Sequence, residues 1–494
     1  MEILSDWRLR VLRDAPPAAG GRYVLYWMIG ARRPTWNLAL DRAVDWADQL
    51  GLPLVVLEAL RADYRWASDR FHRFVLDGMR DNAQAFAAAR ISYHPYLETA
   101  PREGRGLLQA LAADAAVVVT DRTPVFDLAG VVESAVRVLD VAGVPVRFEA
   151  IDGYGIVPLD APATTFPTAY AFRRYLQRAL PGFLETRPRA TLLNDRDRRL
   201  PGGMPAAVTD RWPAATRWID APDLSSLVLD HDVTVAPFVG GEAAGRAALA
   251  TFVSDRLDRY VDDRSHPDED LGSNLSPYLH FGQLSSHEVV WRILDHYGWT
   301  PDRLSSTVNG AKEGWWGLPP AAEAFLDQVI TWRELGGNAS RRDDYTRYES
   351  LPSWAQATLQ KHASDPRLVV YTLDAFDAAT THDPIWNAAQ RQLAREGRLH
   401  NYMRMLWGKK ILEWTASPRE ALDVMVELNN RYALDGRDPN SYSGIFWVLG
   451  RYDRPWGPER PIFGTIRYMT SDSAARKLRL KQYVRRYGET GSLL

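Results

Sequence analysis

The first third of the chain alternates short apolar runs with longer amphipathic stretches. Tyr23-Val24-Leu25-Tyr26-Trp27-Met28 is apolar throughout and short, which predicts a buried strand. Trp36 to Leu50 has helical periodicity and stops at Gly51. Leu54-Val55-Val56-Leu57 predicts the next strand and Phe71 to Ala89 a helix. Ile91-Ser92-Tyr93 begins a third strand, and Ala116-Val117-Val118-Val119 a fourth. Val131 to Ala142 reads as helix and Val144 to Ala150 as a fifth strand. Strands alternating with helices indicate a parallel, doubly wound sheet, because parallel neighbours need a long crossover. Residues 1–20, with Pro16 and Pro17, read as a loose leader.

The pattern then changes. Residues 161–238 are rich in proline and arginine, with Pro181, Pro188, Pro201, Pro205, Pro213 and Pro222. They read as an interdomain linker holding one short helix over Tyr170–Leu180. After Gly240-Gly241 the periodicity is helical to the end, starting with one long amphipathic helix over Glu242–Val261. The expected organisation is an α/β domain over 15–160, a linker over 161–238 and an all-α domain over 239–494.

The most informative stretch of the helical part runs from Thr381 to Trp414. Asp383 before Pro384 is an N-cap with proline at the first helical position. Gly397 interrupts the pattern, and a second helix is expected from about Asn401. Trp407 and Trp414 are two turns apart, so both rings lie on nearly one face, roughly 10 Å apart along the axis. Trp386 lies on the preceding helix. The spacing fits core packing, the usual role of aromatic stripes. It also fits a row of indoles passing an electron from a buried cofactor to the surface.

Composition removes several classes of function. At 494 residues with 46% hydrophobic and 25% charged positions, the chain has the profile of a soluble globular protein with ample core. There is no membrane-length apolar run, and Met1 to Arg13 is too polar for a signal peptide, so a cytoplasmic location is the default expectation. The absence of cysteine excludes disulfides, thiolate metal sites and cysteine nucleophiles, and no metal site is expected. The net charge of −2 hides an asymmetry: residues 385–494 carry 19 Lys+Arg against 11 Asp+Glu, so this segment is +8 and the remainder −10. A basic C-terminal segment fits a nucleic-acid face as well as a solvated surface. No G-x-G-x-x-G follows the first strand, so a dinucleotide site there is unsupported.

Four pieces in order are similar to the flavin-binding domain of the photolyase/cryptochrome family, most of all to its class II cyclobutane pyrimidine dimer photolyases. They are Asp383-Pro384-Ile385-Trp386-Asn387, Tyr402-Met403-Arg404-Met405, Lys409-Lys410-Ile411-Leu412-Glu413-Trp414 and Leu434-Asp435-Gly436-Arg437-Asp438-Pro439-Asn440. The N-terminal half resembles the family's antenna domain through Tyr23-Val24-Leu25-Tyr26-Trp27 and Leu52-Pro53-Leu54-Val55-Val56. The resemblance implies an antenna α/β domain followed by an all-α FAD-binding domain. It also implies light-driven repair of pyrimidine dimers in DNA by a monomer with no membrane association. A second chromophore, a deazaflavin or a folate, is an option for the antenna domain, with the crevice at the carboxyl ends of the strands as its expected place. An empty structural domain is the other option.

The resemblance also assigns residues. Gly272 to Gly282 is similar to the flavin diphosphate loop, where Ser276 is expected to cap a helix opening with Pro277. This makes Tyr260, Ser273, Asn274, Leu275 and Ser276 expected FAD contacts, although a plain capped helix would read the same way. Arg404 and Asp435 match an ion pair beside the isoalloxazine ring, and Asn429 an amide facing flavin N5. Asn401 and Asp438 are expected at the same ring or its ribityl chain. A structural bridge and an ordinary helix end are the alternatives for Arg404–Asp435 and for Asn429. Trp332 and Trp447 match the walls of a pocket for a flipped dimer. Trp407, Trp386 and Trp414, in that order outward, match the relay that reduces oxidised FAD.

One position departs from the family. Repair enzymes carry a carboxylate four residues before the pocket tryptophan, and here that position is Gln328, with Asp327 beside it. Trp332-Arg333-Glu334 keeps the surrounding context. Either Asp327 serves, or repair is weakened, or the role has drifted toward a cryptochrome-like photoreceptor. A photolyase for the (6-4) photoproduct would call for a histidine pair at the lesion, and none is placed there. Lys409, Lys410, Arg451, Arg454, Lys477 and Lys481 are the basic residues expected to meet DNA phosphates.

Overall fold

The computed structural model describes residues 7–185, 187–191 and 203–488 and divides into two compact units. Pro201 and the first six residues of the expected leader lie outside the described residues. The first unit contains 1–163, 179–250 and 275–301, and the second 164–178, 251–274 and 302–494.

The first unit is built on a six-stranded sheet: β1 (Leu9–Arg13), β2 (Tyr23–Met28), β3 (Leu54–Leu60), β4 (Ser92–Leu97), β5 (Ala115–Arg122) and β6 (Arg147–Asp152). The order is β1-β6-β5-β2-β3-β4, and all pairs are parallel except β1 with β6. The sheet reverses direction between β5 and β2, which creates a switch point at their carboxyl ends. The crossover helices α1 (Leu38–Leu50), α2 (Asp69–Ala88), α3 (Leu107–Ala113) and α4 (Phe126–Val141) link the strands. α1 starts at an Asn37 side-chain cap and ends at Gly51 in the left-handed region, as its sequence signals indicate.

Four elements of this unit are new relative to the sequence pattern. The expected leader contains β1, an edge strand that alternates arginine with aliphatic residues and so has no apolar run. Arg8 anchors its start by donating to the carbonyls of Asp152, Gly155 and Ile156 at 3.0, 3.2 and 2.7 Å. α3 has only seven residues, too short for a clear periodicity. Residues 206–220 form two short helices, with Trp212, Trp218 and Ile219 buried in the hydrophobic clusters of this unit.

The second unit is helical. The stretch predicted as one helix over Glu242–Val261, of which residues 242–250 belong to the first unit, is broken: helix to Thr251, a π-turn over Phe252–Arg256, a 3-10 turn over Leu257–Arg259, then helix from Tyr260. A π-turn adds a residue and a 3-10 turn removes one, so the apolar period continues across the break. Its effect is to turn Phe252, fully buried, and Tyr260 onto Phe325, with ring centroids 4.4 and 5.3 Å away. Close backbone approaches fix two other helices. A Cβ on Gly336 would meet the Asn440 nitrogen at 2.8 Å, and one on Gly408 would meet Val448 Cγ2 at 2.6 Å. Both bring neighbouring helices against Pro439–Val448.

Candidate functional site

The helix Asn401–Trp414 carries four of the candidate residues: Asn401, Arg404, Trp407 and Trp414. Arg404, in its first turns, reaches across to two other segments. It donates to Asp435 at 3.1 and 3.3 Å and to Asn429 Oδ1 at 3.1 Å. Asn429 lies near the end of the helix Pro418–Tyr432, and its amide nitrogen donates to Ser441 at 2.8 Å and to Asn430 at 3.2 Å. Asn430 is fully buried, accepts from the Arg437 N–H at 2.9 Å and donates to the Tyr442 hydroxyl at 3.0 Å. The Asn429-Asn430 pair therefore ties one helix to the next, and it presents the Arg404 guanidinium between an amide and a carboxylate. Asp438 caps the following helix through the Asn440 N–H at 2.8 Å. Asn401, the first residue of its helix, is exposed, and among the described hydrogen bonds none joins it to the Arg404 cluster.

The three tryptophans come together in the core. Trp386 is fully buried and donates its indole N–H to the Trp407 carbonyl at 3.0 Å. Its ring meets Trp414 edge-on at 6.0 Å. Trp407 donates to Gln390 at 2.9 Å. The capped start at Asp383 sets this geometry, because its carboxylate accepts from the Ile385 and Trp386 N–H groups at 2.9 and 3.0 Å. Trp414 is itself buried. Half-buried Tyr371 and exposed His382 cover it at 5.8 and 4.9 Å, and they are joined to each other by a 2.7 Å contact between the Tyr371 hydroxyl and His382 Nδ1.

The expected phosphate loop differs locally from its prediction. Ser276 does not cap. It is the first residue of a short helix, Ser276–His280, whose N-cap position is Leu275, and a leucine side chain has no acceptor. Leu275 and Ser276 belong to the first unit, Ser273 and Asn274 to the second. Asn274 is in the left-handed region at φ 57°, with its side chain accepting from Arg398 at 3.0 Å. Arg398 also grips Asp270 with two 2.6 Å bonds and Glu396 at 2.9 Å. Tyr260 is buried, with Arg264 over its ring at 5.1 Å, and burial raises its hydroxyl pKa. A cavity of about 540 Å³ in the second unit is lined by Asp270, Gln392, His400 and Tyr483. Burial holds His400 down at about 4, a neutral imidazole at pH 7.

Gln328 and Trp332 sit on a second π-turn, Asp327–Trp332, and share its half-buried side. Asp327 is buried and engaged by Arg173 through bonds of 2.6 and 3.1 Å. Its carboxylate is therefore committed to an ion pair. Trp447 is half-buried, with Lys409 and Arg467 each 5.1 Å from its ring centroid. The phosphate-binding expectation needs correction at three positions: Lys409, Lys410 and Arg451 are buried, and only Arg454, Lys477 and Lys481 are exposed. The missed contributors are Gln390, Ser441, Tyr371 and His382. They touch site residues only through the fold, and no local pattern marks them.

In the first unit, Asp121 lies near the carboxyl end of β5, beside the switch point. Its carboxylate accepts from the N–H groups of Ile29, Gly30 and Ala31 at 2.9, 2.7 and 3.0 Å and from the Tyr26 hydroxyl at 2.8 Å. Those donors are already taken at the place expected for a second pigment.

No family model matches the chain. Individual relatives do. The chain is 34% identical over 481 residues to a deoxyribodipyrimidine photo-lyase of Methanothermobacter thermautotrophicus, covering 97% of each. It is 32% identical to the enzyme of the same name from Oryza sativa subsp. japonica, over 97% of this chain and 89% of the relative. It is also 32% identical to that of Potorous tridactylus, over 94% and 80%. Among solved structures, a bacterial class III photolyase from Agrobacterium tumefaciens superposes with a TM-score of 0.63 at 17% identity, covering 95% of this chain and 87% of that one. That likeness concerns the fold alone. Among the described residues, no helix is long and apolar enough to cross a membrane, and no group of side chains could hold a metal ion.

Proposed function

Because this chain belongs to the deoxyribodipyrimidine photo-lyase family, whose members are flavoprotein DNA-repair lyases, we propose that it repairs cyclobutane pyrimidine dimers in light as a class II enzyme. The observation that carries the reading is one helix, Asn401–Trp414. It bears Arg404, paired with Asp435 and Asn429, and Trp407, joined to Trp386. The donor set fits FAD. A guanidinium suits the negative charge of a reduced isoalloxazine, a neutral amide suits N5, and Ser273 and Asn274 bring polar side chains suited to a diphosphate. Bound FAD supplies the light-driven electron for the dimer.

The chain's own residues do the rest. Arg404 holds charge beside the ring, and the Asn429 amide stays neutral because it cannot titrate. Trp407, Trp386 and Trp414 carry electrons inward through a dry core. Trp332 and Trp447 stack on the flipped lesion, and Gln328 hydrogen-bonds its bases. The relevant partner is DNA with pyrimidine dimers, approached through the basic C-terminal segment. At the strand ends the Asp121 carboxylate takes the N–H groups of Ile29, Gly30 and Ala31, and the proposal includes no antenna step.

A second reading has its own observation. Asp327 is engaged by Arg173, so Gln328 stands on the Trp332 side without that carboxylate. A cryptochrome-like photoreceptor would tolerate this. The deciding experiment exposes the protein, with its flavin reduced, and a thymine-dimer oligonucleotide to blue light or darkness. Intact thymines recovered only in light support repair. No recovery, with a flavin that still photoreduces, supports the photoreceptor.

A further inference from the structure

Lys409 is a lysine with no exposed surface, set in the middle of the helix Asn401–Trp414. Its ammonium donates to the Val448 carbonyl at 2.5 Å and lies 5.1 Å from the centroid of the Trp447 ring. Gly408 makes this possible: with no Cβ, the helix approaches Val448 closely. The charged groups that act on the ammonium are Asp453, which attracts it, and Arg467, which repels it. Arg467 in turn holds Asp453 at 3.1 Å, and Asp453 accepts from Trp456 at 3.0 Å. Burying a cation that lacks a directly bonded carboxylate is costly, and a methionine would fill the same space without that cost. A buried cation facing an indole has a specific use: desolvation strengthens its attraction to the ring.

We propose that Lys409 is a positioning residue for Trp447, its ammonium holding the indole in the orientation that stacks on a flipped dimer. The inference rests on the reading of Trp447 as a wall of the lesion pocket. Burial lowers the Lys409 pKa to about 7. Proton loss leaves an amine that can still donate to Val448 but removes one of the ring's two cations, the other being Arg467, also 5.1 Å from its centroid. Lesion binding is therefore coupled to pH near neutrality.

The test measures dissociation constants in darkness for the full-length FAD-loaded protein. A thymine-dimer oligonucleotide is compared with its undamaged counterpart from about pH 6 to about pH 8.5, a range bracketing the lysine. The wild-type preference for the dimer is expected to fall on the order of tenfold across this range. Lys409→Met should bind weakly with no pH step, and Lys409→Arg tightly with no step. A step retained in Lys409→Arg or Lys409→Met, or wild-type preference at low pH in Lys409→Met, overturns the proposal. Flavin absorption and the thermal midpoint report folding. If Lys409→Met does not fold, the step in Lys409→Arg decides. Trp447→Ala separates the two readings. If it binds the dimer like wild type, the pocket assignment fails. If it weakens binding while Lys409→Met does not, only the role of Lys409 fails.

Discussion

Asn429 has both ends of its amide bonded, to Arg404 on one side and to Ser441 and Asn430 on the other. Replacing it by leucine takes an acceptor from Arg404 and a donor from the buried oxygens of Ser441 and Asn430. We expect Asn429→Leu to lose about 1–3 kcal/mol in urea unfolding and to weaken flavin retention on a desalting column. Lys409 makes a different prediction, about pH. Its folded pKa, about 7, lies below its value of 10.5 in an unfolded chain, so the unfolded state binds more protons between these limits. The penalty for burying it is full below pH 7 and is relieved as pH rises toward 10.5. The stability gap between Lys409→Met and wild type should therefore shift toward wild type by up to about 1.4 kcal/mol per pH unit in that window. Denaturant unfolding of both proteins at several pH values measures it. Sequence marks Asn429 only by resemblance and places Lys409 among surface cations, because burial of a lysine depends on what Gly408 and Val448 bring together.

Among elements, the Asp383-Pro384 start and the glycine stops were readable, while Ser276 does not cap and Asn37 was not singled out. Asn37, Gly51, Asp383 with Pro384, and Gly397 all lie where local chemistry puts helix ends. The π-turns over Phe252–Arg256 and Asp327–Trp332 were not, since one inserted residue leaves the apolar period nearly intact. The second one matters for chemistry. It separates buried Asp327 from half-buried Gln328, and the ion pair that occupies Asp327 comes from Arg173, far away in sequence. Helix packing gives a prediction through Gly408. An alanine Cβ would meet Val448 at 2.6 Å and the Met425 sulfur at 3.1 Å. Gly408→Ala should cost about 1–3 kcal/mol by forcing the helices apart, and it should weaken dimer binding in a gel-shift titration. The indole row is tested by Trp407→Phe. Illumination of its oxidised flavin with a reductant present should give photoreduction far slower than wild type, read at the flavin absorption band.

For the whole molecule, the charge asymmetry outlives the correction of individual residues. Three of six expected phosphate contacts are buried, yet Arg454, Lys477 and Lys481 remain exposed on a segment of charge +8. Binding to dimer-containing DNA should weaken steeply with salt, and removing these three cations should flatten the slope of log affinity against log salt. The α/β and helical halves were legible because strand and helix periods differ. The composition of units was not. Residues 206–238 look like linker, but Trp212 and Trp218 are buried in the first unit, and only the folded partner surfaces show that.

The Glu396 carboxylate accepts from the Tyr487 hydroxyl at 2.6 Å and from Arg486 at 2.8 Å, and it also binds Arg398, the residue that grips Asp270 and Asn274. This has a consequence for biosynthesis. The helix Lys481–Tyr487 is the last described one to leave the ribosome, and until it emerges Glu396 lacks two of its partners. The Arg398 cluster beside Asp270 and Asn274 thus gains its full support only after Lys481–Tyr487 has been made. A chain cut before Lys481 should therefore retain flavin less firmly than the full chain, read by absorption after desalting.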